Sequence, residues 1–106
     1  MQPDPSELAR LHDATLRAVR LDWGAGRADL ELTAALTTGH SSLVRVQATE
    51  VTLLRCPRQA PLGWSASVNE LRIASANGVG MRLEVEVQSG DVIEIEAKAV
   101  TVEVVA

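Results

Sequence analysis

The stretch that decides the fold is Met81-Arg82-Leu83-Glu84-Val85-Glu86-Val87-Gln88-Ser89-Gly90-Asp91-Val92-Ile93-Glu94-Ile95-Glu96. Apolar and polar side chains alternate along residues 81–88, which is the pattern of a half-buried β-strand. A three-residue loop at 88–90, with Gly90 in the left-handed region, places Val85 opposite Ile93. The apolar faces of the two strands then coincide, and the sequence predicts a hairpin that buries one side.

The other side of this predicted hairpin carries four carboxylates, Glu84, Glu86, Glu94 and Glu96. Clustered carboxylates can bind a hard cation such as calcium. Arg82 and Lys98 lie within the cluster, however, so we expect no metal site. A solvated face that protects the sheet is one alternative, and a surface for a basic protein partner is another. These four glutamates, together with Trp64, are our candidate partner-binding residues.

Apolar and polar residues also alternate in residues 19–32, nearer the N-terminus. Val19, Leu21 and Trp23 alternate with polar residues, and Ala28, Leu30 and Leu32 do so again. With Ala25-Gly26 as a two-residue turn, Trp23 faces Ala28 and Arg20 meets Glu31. We therefore predict a second hairpin.

The alternation changes parity at two places. In the β-rich stretch Leu43 to Arg55 the pattern shifts near Thr49-Glu50, and after residue 95 it shifts again near Lys98-Ala99. Each shift predicts a β-bulge or a strand that bends between two faces. A curled sheet needs such bends.

The predicted architecture is one all-β domain over residues 1–106, with residues 1–13 as a helical N-terminal segment. Asp4-Pro5-Ser6-Glu7 has the residues of a helix start. We expect an antiparallel meander of six or seven strands, forming a curled sheet or a partly open barrel or sandwich. The residues expected to be most buried are Val19, Leu21, Leu30, Leu32, Val44, Val46, Leu83, Val85, Val87, Ile93 and Ile95.

Composition and charge exclude several classes of protein. The chain has 14 acidic and 10 basic side chains, for a net charge of −4, which disfavours binding to nucleic acid. Apolar runs are too short for a membrane span and the start lacks the order of a signal peptide, so we expect a cytoplasmic protein. One cysteine, Cys56, excludes an intrachain disulfide and a zinc finger. We expect no cofactor.

Three features could carry chemistry. His12-Asp13 could form a base or ligand pair, but the other histidine, His40, lies in a distant turn, which favours a structural role for the pair. Cys56 would need a nearby histidine to act as a nucleophile. Trp64 lies in the longest irregular segment, where it could plug the sheet or anchor a partner. We expect no catalytic residue; the alternative is a small enzyme or ligand-binding cup that uses His12, Asp13, Cys56 and Trp64.

Three short motifs carry a resemblance to known proteins. They are residues 11–14 (Leu-His-Asp-Ala), 61–65 (Pro-Leu-Gly-Trp-Ser) and 88–94 (Gln-Ser-Gly-Asp-Val-Ile-Glu). The sequence resembles small uncharacterised bacterial β-domains, some of them similar to the immunity protein 50 type, whose members are thought to neutralise toxins delivered between bacteria. This resemblance implies a bacterial protein that binds another protein, and it assigns no functional residue.

Self-association is a further expectation. A chain of this length leaves apolar surface exposed, and Val100-Thr101-Val102-Glu103-Val104-Val105 carries one charge. As a bare edge strand it would promote aggregation unless covered. We expect a homodimer formed through an exposed strand edge or an apolar patch.

Overall fold

Two four-stranded antiparallel sheets make up the fold in a computed structural model, which describes residues 8–37, 39–58, 65–75 and 80–105. The strands are β1 (Thr15–Asp22), β2 (Arg27–Thr37), β3 (His40–Thr49), β4 (Leu53–Arg55), β5 (Val68–Ser75), β6 (Met81–Val87), β7 (Val92–Ala97) and β8 (Ala99–Val104). One sheet has the order β1-β2-β3-β8 and the other β4-β7-β6-β5. The predicted all-β antiparallel class is confirmed.

The described residues contain eight strands where six or seven were predicted. The difference comes from the two parity shifts, because each divides one long strand between the sheets. β3 leads into β4 at Glu50, and β7 leads into β8 at Lys98. Since β3 pairs with β8 and β4 pairs with β7, the two strands bend together and both predicted bends are confirmed.

The β6–β7 hairpin forms in the predicted register. Leu83 pairs with Ile95 and Val85 pairs with Ile93. The loop is closed by a hydrogen bond from Val87 N to Asp91 O of 3.0 Å, and Gly90 has a φ of 103°. This conformation favours glycine, as the sequence pattern required.

The β1–β2 hairpin forms in a different register. Leu21 pairs with Ala28, and Val19 pairs with Leu30, so the predicted pairing of Trp23 with Ala28 is wrong by two residues. The reason is the turn, which spans residues 23–26 instead of only two residues. A shift of two keeps each side chain on its predicted face, and Arg20 still contacts Glu31.

The core lies between the inner faces of the two sheets and is aliphatic. Its largest fully buried side chains are Leu11, Leu30, Leu32, Leu83, Ile95, Val44, Val46, Val68, Val85 and Val100. Of the eleven residues predicted to be buried, Val19 is half-buried and Leu21 is exposed, while the others are buried. Leu21 is exposed although its cross-strand partner Ala28 is buried, because β1 is the edge strand of its sheet and Leu21 lies near the end of that strand.

The N-terminal part of the described chain is a turn that joins the two sheets. Leu8 and Ala9 are helical, and the turn residues after them carry successive short-range hydrogen bonds, such as Leu11 N to Leu8 O at 3.0 Å. Residues 1–7 lie outside the described residues. Asp13 N donates to Val68 O, and Val68 N donates to Ala14 O, each at 2.8 Å. This contact links the edges of β1 and β5 at one end without closing a barrel.

A search of the described residues for a helix long and apolar enough to cross a membrane finds none.

Candidate functional site

The predicted pair His12 and Asp13 lies in the exposed turn before β1. His12 Nδ1 donates to the carbonyl oxygen of Asn69, and its Nε2 lies 3.6 Å from Asp13 Oδ2. Asp13 Oδ1 accepts a hydrogen bond of 3.0 Å from Gln88 Nε2. The two side chains therefore tie the turn to β5 and to the β6–β7 loop, which is a structural role.

Cys56 follows β4 and is exposed. Partial burial raises the pKa of its thiol above the ordinary value, and the positive charge of Arg58 offsets part of this effect. Nucleophilic cysteines have lowered pKa values because the thiolate is the reactive form. The environment of Cys56 instead raises the thiol pKa, which disfavours the reactive thiolate.

Two residues of the alternative enzyme or cup hypothesis, His12 and Cys56, lie in separate grooves. His12 lines a groove of about 760 Å³ beside β5, whereas Cys56 lines a separate groove of about 350 Å³ between β1 and the end of β6. Trp64 lies outside the described residues. Within the described ranges, no group of three or more His, Cys, Asp or Glu side chains could hold a metal ion.

The four candidate glutamates lie on the outer face of the second sheet, and each has an arginine partner. Arg72 contacts Glu84 at 3.2 Å and Glu86 at 3.0 Å. Glu94 lies 3.5 Å from an Arg55 nitrogen, and Glu96 lies 3.1 Å from an Arg82 nitrogen. This face is therefore a ladder of ion pairs.

One row of the ladder explains how like charges are accommodated. Glu84 pairs directly with Glu94, as the hairpin register predicted. On the neighbouring strands, Arg72 pairs with Glu84 and Arg55 pairs with Glu94. The two carboxylates are thus flanked by guanidinium groups, which offset their repulsion. A basic partner would have to compete with these arginines.

Trp23 is the exposed residue that the sequence argument missed. It lies in the β1–β2 turn and is 88% exposed, and its neighbour Leu21 is 41% exposed. An exposed Trp is unusual because its large apolar surface is normally covered. The side chain is thus available to a partner.

An apolar groove of about 240 Å³ lies beside this side chain. We call it the Trp23 groove, and it is lined by Leu21, Trp23, Gly26, Val51, Thr52, Leu53 and Leu54. Gly26 O accepts a hydrogen bond of 2.8 Å from Val51 N. This bond holds the turn against the bend between the sheets, so the groove is built from two connected backbone segments.

A local signal for this site is present in the sequence. Asp22 Oδ1 accepts a hydrogen bond of 3.1 Å from Ala25 N, a common way for Asp to open a turn. Reading Asp22 as the turn opener gives a turn over residues 23–26 and places Trp23 outside the hairpin. The sequence does not indicate that Leu53 lines the groove. The face of the sheet on which its side chain lies depends on the residue at which the strand bends.

Comparisons with known proteins find one solved structure with a similar fold. No protein-family model matches the sequence, and no curated protein is similar to it. The chain is similar in structure to an uncharacterized protein from Neisseria gonorrhoeae, with a TM-score of 0.66 and 11% sequence identity. The similarity covers 89% of this chain and 93% of that chain. At this identity the likeness concerns the fold alone.

Proposed function

We propose that the protein is a non-catalytic protein-binding module and that it binds through the Trp23 groove. The observation that carries the proposal is the 88% exposure of Trp23 beside an apolar groove. Tryptophan is enriched among the residues that dominate binding energy at protein interfaces. Its indole contributes a large contact area at a small cost in conformational entropy.

The placement of the other candidates supports binding rather than catalysis. His12 and Cys56 lie in separate grooves, and the thiol pKa is raised. The glutamate ladder supports binding less directly, because its carboxylates already pair with arginines. Trp64 stays a predicted contact.

The resemblance to the immunity protein 50 type supports the same class of function. With it we propose a bacterial, cytoplasmic protein whose activity consists of holding a protein partner. The fold supplies a rigid base for such a surface, because the β1–β2 turn is hydrogen-bonded to the sheet bend at Val51.

The test is affinity purification from the source organism with three baits: the unmodified protein, Trp23→Ser and Val104→Ser. Val104 is the matched control because it is 57% exposed and lies at the far end of β8. We expect a partner that the unmodified and Val104→Ser proteins retain. Trp23→Ser should bind the purified partner about 30-fold more weakly, as expected at an interface hot spot. Equal retention by all three baits would contradict the assignment of the Trp23 groove, and substrate turnover would contradict the non-catalytic proposal.

A further inference from the structure

We infer that the open edge of β5 binds an extended, basic segment of a protein partner, which joins the second sheet as an added strand. This surface shares no lining residue with the Trp23 groove, so the inference goes beyond the function proposed above. Addition of a strand to a sheet edge is a recurring mode of peptide recognition. Main-chain hydrogen bonds supply the affinity, and alternate side chains supply the specificity.

The edge of β5 is open along most of its length. β5 is the last strand of its sheet, and its first residues are covered by the N-terminal turn. Val68 exchanges backbone hydrogen bonds with that turn, and Asn69 O accepts one from His12. Beyond Asn69, no strand or turn of the described chain pairs with the outer edge of residues 70–75. This open part is as long as a typical strand of about 5–6 residues.

A groove of about 760 Å³ lies beside this edge. β5 and the N-terminal turn both line it, the turn through Leu8, Ala9 and His12. On β5, Leu71 belongs to the core and Ile73 packs against the core. An added strand places every second side chain on this same face. The groove therefore fits a segment in which every second residue is apolar.

The opposite face of β5 has an excess of carboxylates. Arg72 lies 3.0 Å from Glu70, 3.2 Å from Glu84 and 3.0 Å from Glu86, so three carboxylates share one guanidinium. Farther along the ladder each glutamate has its own arginine. Glu70 lies on the edge strand itself, and its side chain is 55% exposed. A Lys or Arg opposite Glu70 on the added strand supplies the missing positive charge.

The same charges disfavour a second copy of the chain at this edge. Charged side chains on an edge strand normally discourage pairing with other chains. Two paired β5 edges would bring together three carboxylates and one guanidinium from each copy, and the two clusters would repel. A basic strand meets no such repulsion. The excess of one sign of charge thus selects the partner.

The first experiment measures fluorescence anisotropy of a labelled peptide, Ser-Lys-Val-Lys-Val-Lys-Val-Ser with capped ends, in the presence of the full chain. Glu70→Lys should weaken its binding about tenfold, because the charge opposite the peptide is reversed. Glu103→Lys is the matched control, since Glu103 is exposed on the edge strand β8 and the change in net charge is the same. It should change the affinity less than about twofold. Circular dichroism checks that both variants keep the fold.

The second experiment tests strand addition itself with two N-methylated peptides. One carries methyl groups on its lysine amides, and the other carries them on its valine amides. Successive amides of a strand point to opposite edges, and one edge of the peptide faces β5. One of the two peptides should therefore bind at least tenfold more weakly, while the other keeps its affinity.

Each other outcome overturns a stated part of the inference. If both methylated peptides lose binding, or neither does, the peptide does not add as a strand. Equal weakening by Glu70→Lys and Glu103→Lys overturns the choice of edge. No binding of the lysine peptide at millimolar concentration overturns the whole inference. None of these measurements involves Trp23, so the proposed function depends only on its own test with Trp23→Ser.

Discussion

Glu50 Oε2 lies 3.7 Å from Lys98 Nζ at the point where two paired strands pass together from one sheet to the other. The backbone follows the same contact, because Lys98 N donates to Thr49 O at 3.0 Å and Thr52 N donates to Glu96 O at 2.8 Å. The hydrogen-bond ladder thus continues around the bend. The bend itself occurs at Glu50, which has a φ of 52°.

The conformation of Glu50 leads to the first prediction. The left-handed region costs an L-residue roughly 1–2 kcal/mol, and glycine avoids this cost. We expect Glu50→Gly to be more stable than Glu50→Ala by about 1 kcal/mol, because both variants lose the ion pair and only glycine relieves the strain. Unfolding in urea measures the difference. Lys98→Ala is the control, since an exposed ion pair contributes less than about 1 kcal/mol.

Gly80 carries the second prediction. Its φ is 134°, and a Cβ added there would lie 2.9 Å from the carbonyl oxygen of Ala97. Because the clash is with backbone on the paired strand β7, we expect Gly80→Ala to lower the free energy of unfolding by about 2 kcal/mol or more. Gly24→Ala is the matched control, since its nearest neighbour would be Asp22 Oδ1 at 3.9 Å. Thermal unfolding that places both variants at the same midpoint would contradict the prediction.

The fold could be predicted where the alternation of apolar and polar residues and the residues of the turn indicate the same strand register. At β6–β7, Gly90 specifies the loop and so the register of Val85 with Ile93 follows. The parity shifts near Glu50 and Lys98 each predicted a bend, but alternation within one strand contains no information about which other strand bends beside it. The two bends form one corner because β3 pairs with β8 and β4 pairs with β7. These strands are far apart in the sequence, so neither the shared corner nor the total of eight strands in the described residues follows from alternation within a strand.

The candidate site was less predictable for a physical reason. Alternation places a side chain on a face of the sheet but does not say how far the opposite sheet extends over that face. Leu21 is on the predicted face and is nevertheless exposed. Arg82 lies opposite Glu96 in the hairpin register and contacts it, as that register predicts. The partners Arg72 and Arg55 were missed, because they come from β5 and β4, whose pairing with the hairpin does not follow from alternation within it.

Arg72 is the subject of the third prediction. Its guanidinium contacts Glu70, Glu84 and Glu86, and hydrogen bonds to Glu86 and Glu84 raise the pKa of Arg72 above its ordinary value. Because the pKa is raised, protonated Arg72 contributes to the free energy of unfolding. This contribution is fully present below the ordinary arginine pKa and is lost only at more alkaline pH. Titration of Arg72 itself therefore causes no change in stability between pH 5 and 9.

We expect Arg72→Met to lower the free energy of unfolding by about 1 kcal/mol at low salt, because three carboxylates are then left without their shared cation. The loss should shrink at high salt, which screens their repulsion. Arg20→Met is the control, since Arg20 contacts the single carboxylate of Glu31. Urea unfolding at two salt concentrations measures both variants, and a loss that does not depend on salt would argue against the electrostatic explanation.

The last prediction concerns the reactivity of Cys56. Burial raises the pKa of its thiol, and Arg58 lowers it by a smaller amount. Since only the thiolate is alkylated, iodoacetamide should react more slowly with the folded protein at neutral pH than with the same protein in urea. Arg58→Ala should move the midpoint of the rate–pH curve to higher pH, because it removes the opposing charge. The full rate–pH curve separates the two causes of a slow reaction, because a raised thiol pKa moves the midpoint to higher pH, whereas restricted access lowers the plateau reached at alkaline pH. Faster alkylation of the folded protein at neutral pH would instead reveal an activated thiol, and it would favour the enzyme alternative over the binding module.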